Sequence, residues 1–270
     1  MKLAVLEVNK SGPSDYHNSL FSNRDNVDFF YVTFGKKDAS QNCLGFYPRS
    51  HWSQTRNYLY KNVPKSYDYY MFIDEDIKLD SIFGDPVDIL IQDLEAYKPA
   101  VLSPLYIINN SPEFIGSEKN GIYQRLFSNN CVKIIHKNFL DWLLPYNNIF
   151  NGSWSACHFI NFLEIPLFES VLTTTKVAMR NLNSSGHDVS SDNSHALNME
   201  RIWDWFKPCF LSVCKEGNNS LYIKKYYQTQ TKVAEPRSNF LKLSDAKISK
   251  YFDISHEFFR TQREGILNEL

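Results

Sequence analysis

The chain has 270 residues, 43% of them hydrophobic and 22% charged, a globular composition with enough apolar material for a sizeable core. A formal net charge of -1 excludes a generally basic surface of the kind that holds nucleic acid without sequence preference, so no nucleic-acid partner is expected. No window approaches the ~20 apolar residues of a membrane-spanning helix, the first residues lack a signal-peptide pattern, and the five cysteines include no Cys-x-x-Cys pair, which leads us to expect a soluble, cytoplasmic chain with reduced thiols.

In chain order, residues 3–8 read as an apolar strand ended by the Ser-Gly-Pro turn at 11–13. Residues 27–34 read as a second strand, stopped by Gly35. A helix over 50–61 follows, carrying Trp52 and Leu59 and closed by Pro64. Residues 67–73 form the clearest strand and run straight into Asp74-Glu75-Asp76. Residues 86–97 place Val87, Leu90, Ile91 and Leu94 at helical spacing, with Pro99 as the stop. Residues 101–108 read as another strand, 130–136 as a further one, and 139–144 as a short helix. Residues 146–158 have the Asn, Gly, Ser and aromatic content of a binding loop. A late strand is predicted over 171–179, a polar mobile loop over 181–198, and helix near 201–206 and from 245 onward. Strands alternating with helices predict an open α/β sheet, in which ligands bind beyond the carboxyl ends of the strands.

The acidic triplet sits at one of those ends. In an extended backbone Asp74 and Asp76 share a face while Glu75 points away. Two carboxylates on one face repel unless a cation lies between them. A divalent ion whose octahedral shell is completed by phosphate oxygens suits the pair. The competing reading is a solvated surface turn. A calcium loop of EF-hand type is excluded because its sixth position, which needs Gly, is Leu79.

From Thr55-Arg56-Asn57 through Tyr69-Tyr70-Met71-Phe72-Ile73-Asp74-Glu75-Asp76, the chain resembles the GT-A glycosyltransferases, in which an Arg-Asn pair on a helix precedes a hydrophobic strand ending in Asp-x-Asp. The resemblance implies a GT-A, Rossmann-like α/β fold: an open mixed sheet flanked by helices, with a helical C-terminal extension over 241–270. It divides residues 1–240 into a nucleotide-sugar-binding half, 1–110, and an acceptor-binding half, 111–240. It also implies Mn2+ or Mg2+ as cofactor and a nucleoside-diphosphate sugar, UDP-sugar above others, as donor. A glycan or lipid-linked glycan would be the acceptor, in bacterial surface-polysaccharide synthesis. Arg56, Asn57 and Asp74 would lie near the donor, and Asp74 and Asp76 would hold the metal, with Asp76 as the direct ligand. Many relatives carry an Asp at the end of the second strand, where this chain has Thr33-Phe34-Gly35. Glu7 or Asn9 is left as the candidate for base recognition, and either could equally cap a turn.

Residues 151–158 look like the Gly/Trp-rich acceptor loop of many GT-A enzymes. Trp154 could stack on a sugar ring or pack in the core, and His158 could contact the acceptor or pack. Inverting chemistry needs a carboxylate near the acceptor hydroxyl. Glu164 is the first acid after this loop, with Asp192 and Asp188 as rivals, and a retaining enzyme would need none. His187, with His195 as alternative, lies where such enzymes often place a late metal ligand. Lys224-Lys225 with Tyr226-Tyr227, and the amphipathic tail 248–259, could give peripheral membrane contact. Two other classes stay open: a nucleotidyltransferase, for which only Ser11-Gly12-Pro13 resembles a phosphate loop, and a non-catalytic carbohydrate-binding protein.

Overall fold

A computed structural model describes residues 1–48, 50–108, 111–112, 121–125, 127–146, 153–182 and 230–240. In chain order the elements are β1 Leu3–Asn9, α1 Asp15–Phe21, β2 Val27–Thr33, β3 Cys43–Phe46, α2 Trp52–Asn62, β4 Tyr69–Asp74, β5 Ile77–Asp80, α3 Pro86–Tyr97 and β6 Val101–Ile108. They continue with β7 Ser111–Pro112, β8 Ile122–Arg125, β9 Val132–His136, α4 Lys137–Leu143, α5 Ser153–Leu163, a 3-10 turn Ile165–Ser170, β10 Val171–Asn181 and β11 Gln230–Val233.

Local chemistry explains the boundaries. Helix α3 starts where Asp85 accepts hydrogen bonds from the amides of Val87 and Asp88, with Pro86 in the first helical position. It stops at Lys98, which takes the left-handed conformation before Pro99. Helix α1 is capped by Ser14, whose hydroxyl accepts from the amide of His17. Its seven residues are too few to show helical periodicity in the sequence.

The strands form one mixed sheet in the order β11-β8-β10-β6-β9-β4-β1-β2-β3, with β5 paired to β10 and β7 to β6 off this path. Strands β3, β2, β1 and β4 run parallel. Strand β9 is antiparallel to both β4 and β6, while β10 runs parallel to β6. This open α/β sheet, flanked by helices, is consistent with a GT-A, Rossmann-like fold. The expected C-terminal helical extension, 241–270, lies outside the described residues, as does the helix expected near 201–206.

Each face of the sheet has its own core. Ala4, Leu6, Tyr70 and Phe72 pack with Leu59 and Tyr60 of α2, Leu140 of α4 and Ile160 of α5. The alternate residues Leu3, Val5, Tyr69, Met71 and Ile73 pack with Phe21 of α1 and Leu90 of α3. Each large side chain sealed this way contributes about 1.5–3 kcal/mol of transfer free energy. From β1 the chain moves outward through α1 to β2 and β3, then crosses back through α2 to β4 on the other side of β1. That reversal opens a crevice at the carboxyl ends of β1 and β4, where ligands bind in sheets of this kind. Asp74 is the last residue of β4.

Among the described residues no helix is long and apolar enough to cross a membrane.

Candidate functional site

The acidic triplet is not one extended run. Strand β4 ends at Asp74, Glu75 and Asp76 form a turn, and β5 begins at Ile77. Strand alternation therefore does not set the relation between Asp74 and Asp76. Each residue of the turn ties down a different part of the chain. Asp74 meets helix α2, the carboxylate of Glu75 accepts from the amide of Lys10 at 2.8 Å, and the carbonyl of Asp76 accepts from the amide of Leu182 at 2.8 Å.

The grip on Asp74 comes from two residues one helical turn apart. Trp52 and Arg56 share a face of α2. Arg56 Nη2 and Trp52 Nε1 both donate to Asp74 Oδ1, at 2.7 Å and 2.9 Å, and the guanidinium lies 4.0 Å over the indole ring. Arg56 also donates to the Tyr146 hydroxyl at 3.0 Å. The guanidinium is 1% exposed, and although burial disfavours its charge, Asp74 and the other neighbours outweigh that and hold it protonated. Asp74 is 22% exposed, and its Oδ2 has no hydrogen bond among the described residues.

Asn57 faces inward beside Arg56. Its amide donates to the Tyr146 carbonyl at 2.8 Å and its oxygen accepts from the Tyr146 amide at 2.6 Å. It is fully buried, so its part is to fix the Tyr146 backbone beneath Arg56 rather than to meet a donor. The structure thus brings Arg56, Asn57 and Asp74 together and adds Trp52 and Tyr146. Trp52 lies four residues before Arg56, a spacing that signals the pairing; nothing in the sequence points to Tyr146.

Glu7 lies elsewhere. It shares the α1 face of β1 with Leu3 and Val5, opposite Asp74, and is fully buried. Its oxygens meet the Asn9 side chain and His17 Nδ1, the latter at 2.6 Å. A base could not touch this carboxylate without displacing α1, so the base-recognition role expected of Glu7 does not fit its position.

Glu164 is also sealed. Its carboxylate accepts from the Ser128 amide and hydroxyl, both at 2.7 Å, and pairs with the equally buried Lys133. A general base needs an oxygen within reach of the acceptor hydroxyl. Both oxygens of Glu164 are taken up inside the protein, so the expected role does not fit. Lys133 donates as well to Asn161, which accepts from Asn130, making a buried polar brace between β9 and α5.

The expected acceptor loop is helical from Ser153 onward. Trp154 lies in the first turn of α5 and His158 is buried further along it. The Cys157 thiol, pushed up to about 12 by burial, is no nucleophile at neutral pH. Asp188, Asp192, His187 and His195 lie outside the described residues, as do Lys224-Lys225 and the 248–259 tail. Leu182, bonded to Asp76, is the last described residue before them, and His187 follows within roughly 18 Å of chain at full extension.

Among the described residues no group of three or more His, Cys, Asp and Glu side chains could hold a metal ion alone. Asp74 Oδ2, which takes no hydrogen bond among the described residues, is an oxygen of the kind a hard divalent ion accepts, and phosphate oxygens or water would have to supply most of the remaining shell.

No family model matches this chain, and no curated protein does. Among solved structures the chain is similar to a crystal structure of GalNAc-T7 with UDP, GalNAc and Mn2+, at 10% identity and a TM-score of 0.48, covering 84% of this chain and 53% of that one. It therefore spans about half the length of that protein. It is similar also to a crystal structure of A197 from STIV, at 11% identity and a TM-score of 0.41, covering 66% of this chain and 84% of that one.

Proposed function

We propose that this protein is a metal-dependent glycosyltransferase that moves a sugar from a nucleoside-diphosphate sugar to a hydroxyl of a glycan or lipid-linked glycan. UDP is the first nucleotide to test. The observation that carries the reading is the acidic turn at the carboxyl end of β4, where a buried Arg56 neutralises one oxygen of Asp74 and the other takes no hydrogen bond among the described residues.

The geometry supports separate roles for the two aspartates. Asp74, already paired with a cation, has one oxygen for a donor hydroxyl or for part of a metal shell. Asp76, at the head of β5, would be the direct ligand of Mn2+ or Mg2+. When bound, the ion supplies neutralising charge to the departing diphosphate. Glu75, by holding the Lys10 amide, keeps the loop after β1 against the same turn. His187 remains a proposed further ligand because its segment begins at Leu182, bonded to Asp76. Residues 1–110 would make the donor half and 111–240 the acceptor half, with Trp154 and His158 proposed on the acceptor side. Asp192 replaces Glu164 as the proposed base of an inverting reaction. Bacterial polysaccharide synthesis, and tail contact with a membrane surface, remain part of the proposal.

The test is release of UDP, GDP or CMP from a panel of the corresponding nucleotide sugars, with Mn2+ and with EDTA. Release from one base class only, dependent on the metal, supports the reading. A protein inert to the whole panel, with metal and a range of sugar acceptors present, refutes it.

A further inference from the structure

The edge of β5 turned away from β10 is covered by two side chains of α1 instead of another strand. The Tyr16 hydroxyl donates to the Leu79 carbonyl at 2.8 Å and accepts from the Leu79 amide at 3.0 Å. His17 Nε2 lies 2.7 Å from the Ile77 carbonyl, and His17 Nδ1 lies 2.6 Å from Glu7 Oε2. Glu7 and His17 are both fully buried, and among the described residues neither Glu7 Oε2 nor His17 Nδ1 has a hydrogen bond of ordinary geometry, so the contact between them is an ion pair. Ile77 directly follows Asp76.

Hydrogen-bond chemistry settles how many protons this group carries. A carbonyl oxygen only accepts, so Nε2 must bear a hydrogen. At 2.6 Å the lone pairs of Nδ1 and a carboxylate oxygen would repel, so this ion pair needs a second hydrogen on one of the two groups. The pair therefore holds one proton more than a neutral imidazole and a carboxylate would, either as imidazolium with carboxylate or as imidazole with carboxylic acid. Without it the neutral ring donates once only, to Glu7 or to Ile77. The other contact then sets two acceptors face to face in a dry site.

We propose that His17, joined to Glu7 by this shared proton, is a positioning residue for the acidic turn, holding the β5 backbone behind Asp76 against β1. Asn9 fixes the other Glu7 oxygen, and the Tyr16 and Phe21 rings flank the imidazole with centroids at 5.2 Å and 5.7 Å. Glu75 and Asp76 are the other charged groups that act on the pair. Burial raises the Glu7 pKa against the pull of His17. Burial alone would lower that of His17, but Glu7, the Ile77 carbonyl and Asp76 raise it overall. Both shifts have the same sign, so the folded protein keeps the proton to a higher pH than the separated groups would. The grip on β5 is complete below the ordinary histidine range and weakens as pH rises through the raised folded-state value. Any consequence for donor binding rests on the metal-dependent reading of Asp76; the positioning itself does not.

Three variants separate the contacts. In H17N the shorter amide can meet Glu7 but not the Ile77 carbonyl. In H17Q the longer amide reaches the carbonyl and gives up Glu7. In E7Q the new amide donates to a neutral imidazole, keeping both contacts with no extra proton. The primary readout is hydrogen exchange of the Leu79 amide, corrected for intrinsic pH dependence, with Mn2+–UDP affinity measured alongside. H17N is expected to raise Leu79 exchange by roughly tenfold or more while H17Q stays closer to wild type. Wild type is expected to lose protection as pH rises, and E7Q to give a flat profile. Wild-type protection at Leu79 in a folded H17N, or the same pH profile in wild type and E7Q, overturns the proposal. If H17N does not fold, the wild-type and E7Q profiles decide alone. A wild type that binds no nucleotide yet shows the expected exchange pattern defeats the transferase reading and leaves the positioning role standing.

Discussion

Arg56 and Trp52 converge on the same oxygen of Asp74, at 2.7 Å and 2.9 Å, and so divide its carboxylate into a held half and an open half. The arrangement is asymmetric in energy as well as in space. Removing the charge on one side of a mostly buried pair costs far more than the net worth of the pair, because the other charge is stranded.

Substitution at Arg56 should therefore reveal that stranded charge. Lysine offers one point charge in place of a planar fork and cannot reach Asp74, stack on Trp52 and bond Tyr146 together. R56K is expected to destabilise by about 2–4 kcal/mol, and R56M by more, since Asp74 then keeps no cation. Urea denaturation of both variants checks this.

The two aspartates should separate by phenotype. D74N leaves Arg56 without a counter-charge and should cost about 2–3 kcal/mol, below the full buried-pair value because Asp74 is 22% exposed. D76N should cost less stability than D74N and lower metal-dependent turnover by on the order of 10²-fold. Thermal melts and nucleoside-diphosphate release, measured on the same preparations, test the difference.

Glu164 and Lys133 should behave as a structural brace. K133M is expected to destabilise by about 3–5 kcal/mol, and the double change K133M/E164L to recover most of that loss, because an apolar pair leaves no buried charge. E164Q should leave the pH dependence of turnover unchanged, whereas a base at this position would lose its limb of the profile.

Acid stability should depend on His136. Burial, helped by the Lys137 charge, lowers its pKa to about 4 from the ordinary 6.5, and its Nδ1 accepts the Asn138 amide that caps α4 while the ring stacks on Phe240 at 4.0 Å. The unfolded chain binds a proton before the folded one, so this contribution is complete above about 6.5 and lost as pH falls toward 4. H136N, which can still cap, should flatten that part of the stability profile in urea titrations between those limits.

Much of the scaffold was legible in the sequence. Helix α3 was read with its observed bounds, because its cap, its apolar spacing and its stop all agree. Strands β1, β2, β4, β6 and β10 were placed within a few residues by their apolar runs. The sequence was silent where tertiary contacts decide. Strand β5 is four residues whose partners are β10, far along the chain, and two α1 side chains. The sealing of Glu164 depends on Lys133 and Ser128, more than thirty residues away, and no local pattern shows it. Glu7 sits near a strand end, and the helix that buries it, α1, is too short to leave a periodic signal in the sequence. Arg56, Asn57 and Asp74 are legible as a group, but that Asn57 serves the fold while Arg56 holds Asp74 depends on contacts with Tyr146, ninety residues along the chain from Arg56.

Thermal denaturation with UDP, GDP and CMP, each with Mn2+ or EDTA, on wild type and D76N, probes the acidic turn as a metal-assisted nucleotide site. A ligand at 100 Kd adds about 2.7 kcal/mol to the folded state. One nucleotide should raise the wild-type melting temperature with Mn2+, do little with EDTA, and do little to D76N under either condition. Equal stabilisation with EDTA, equal stabilisation of D76N, or no shift from any nucleotide would mean that Asp76 does not hold a nucleotide-bound cation.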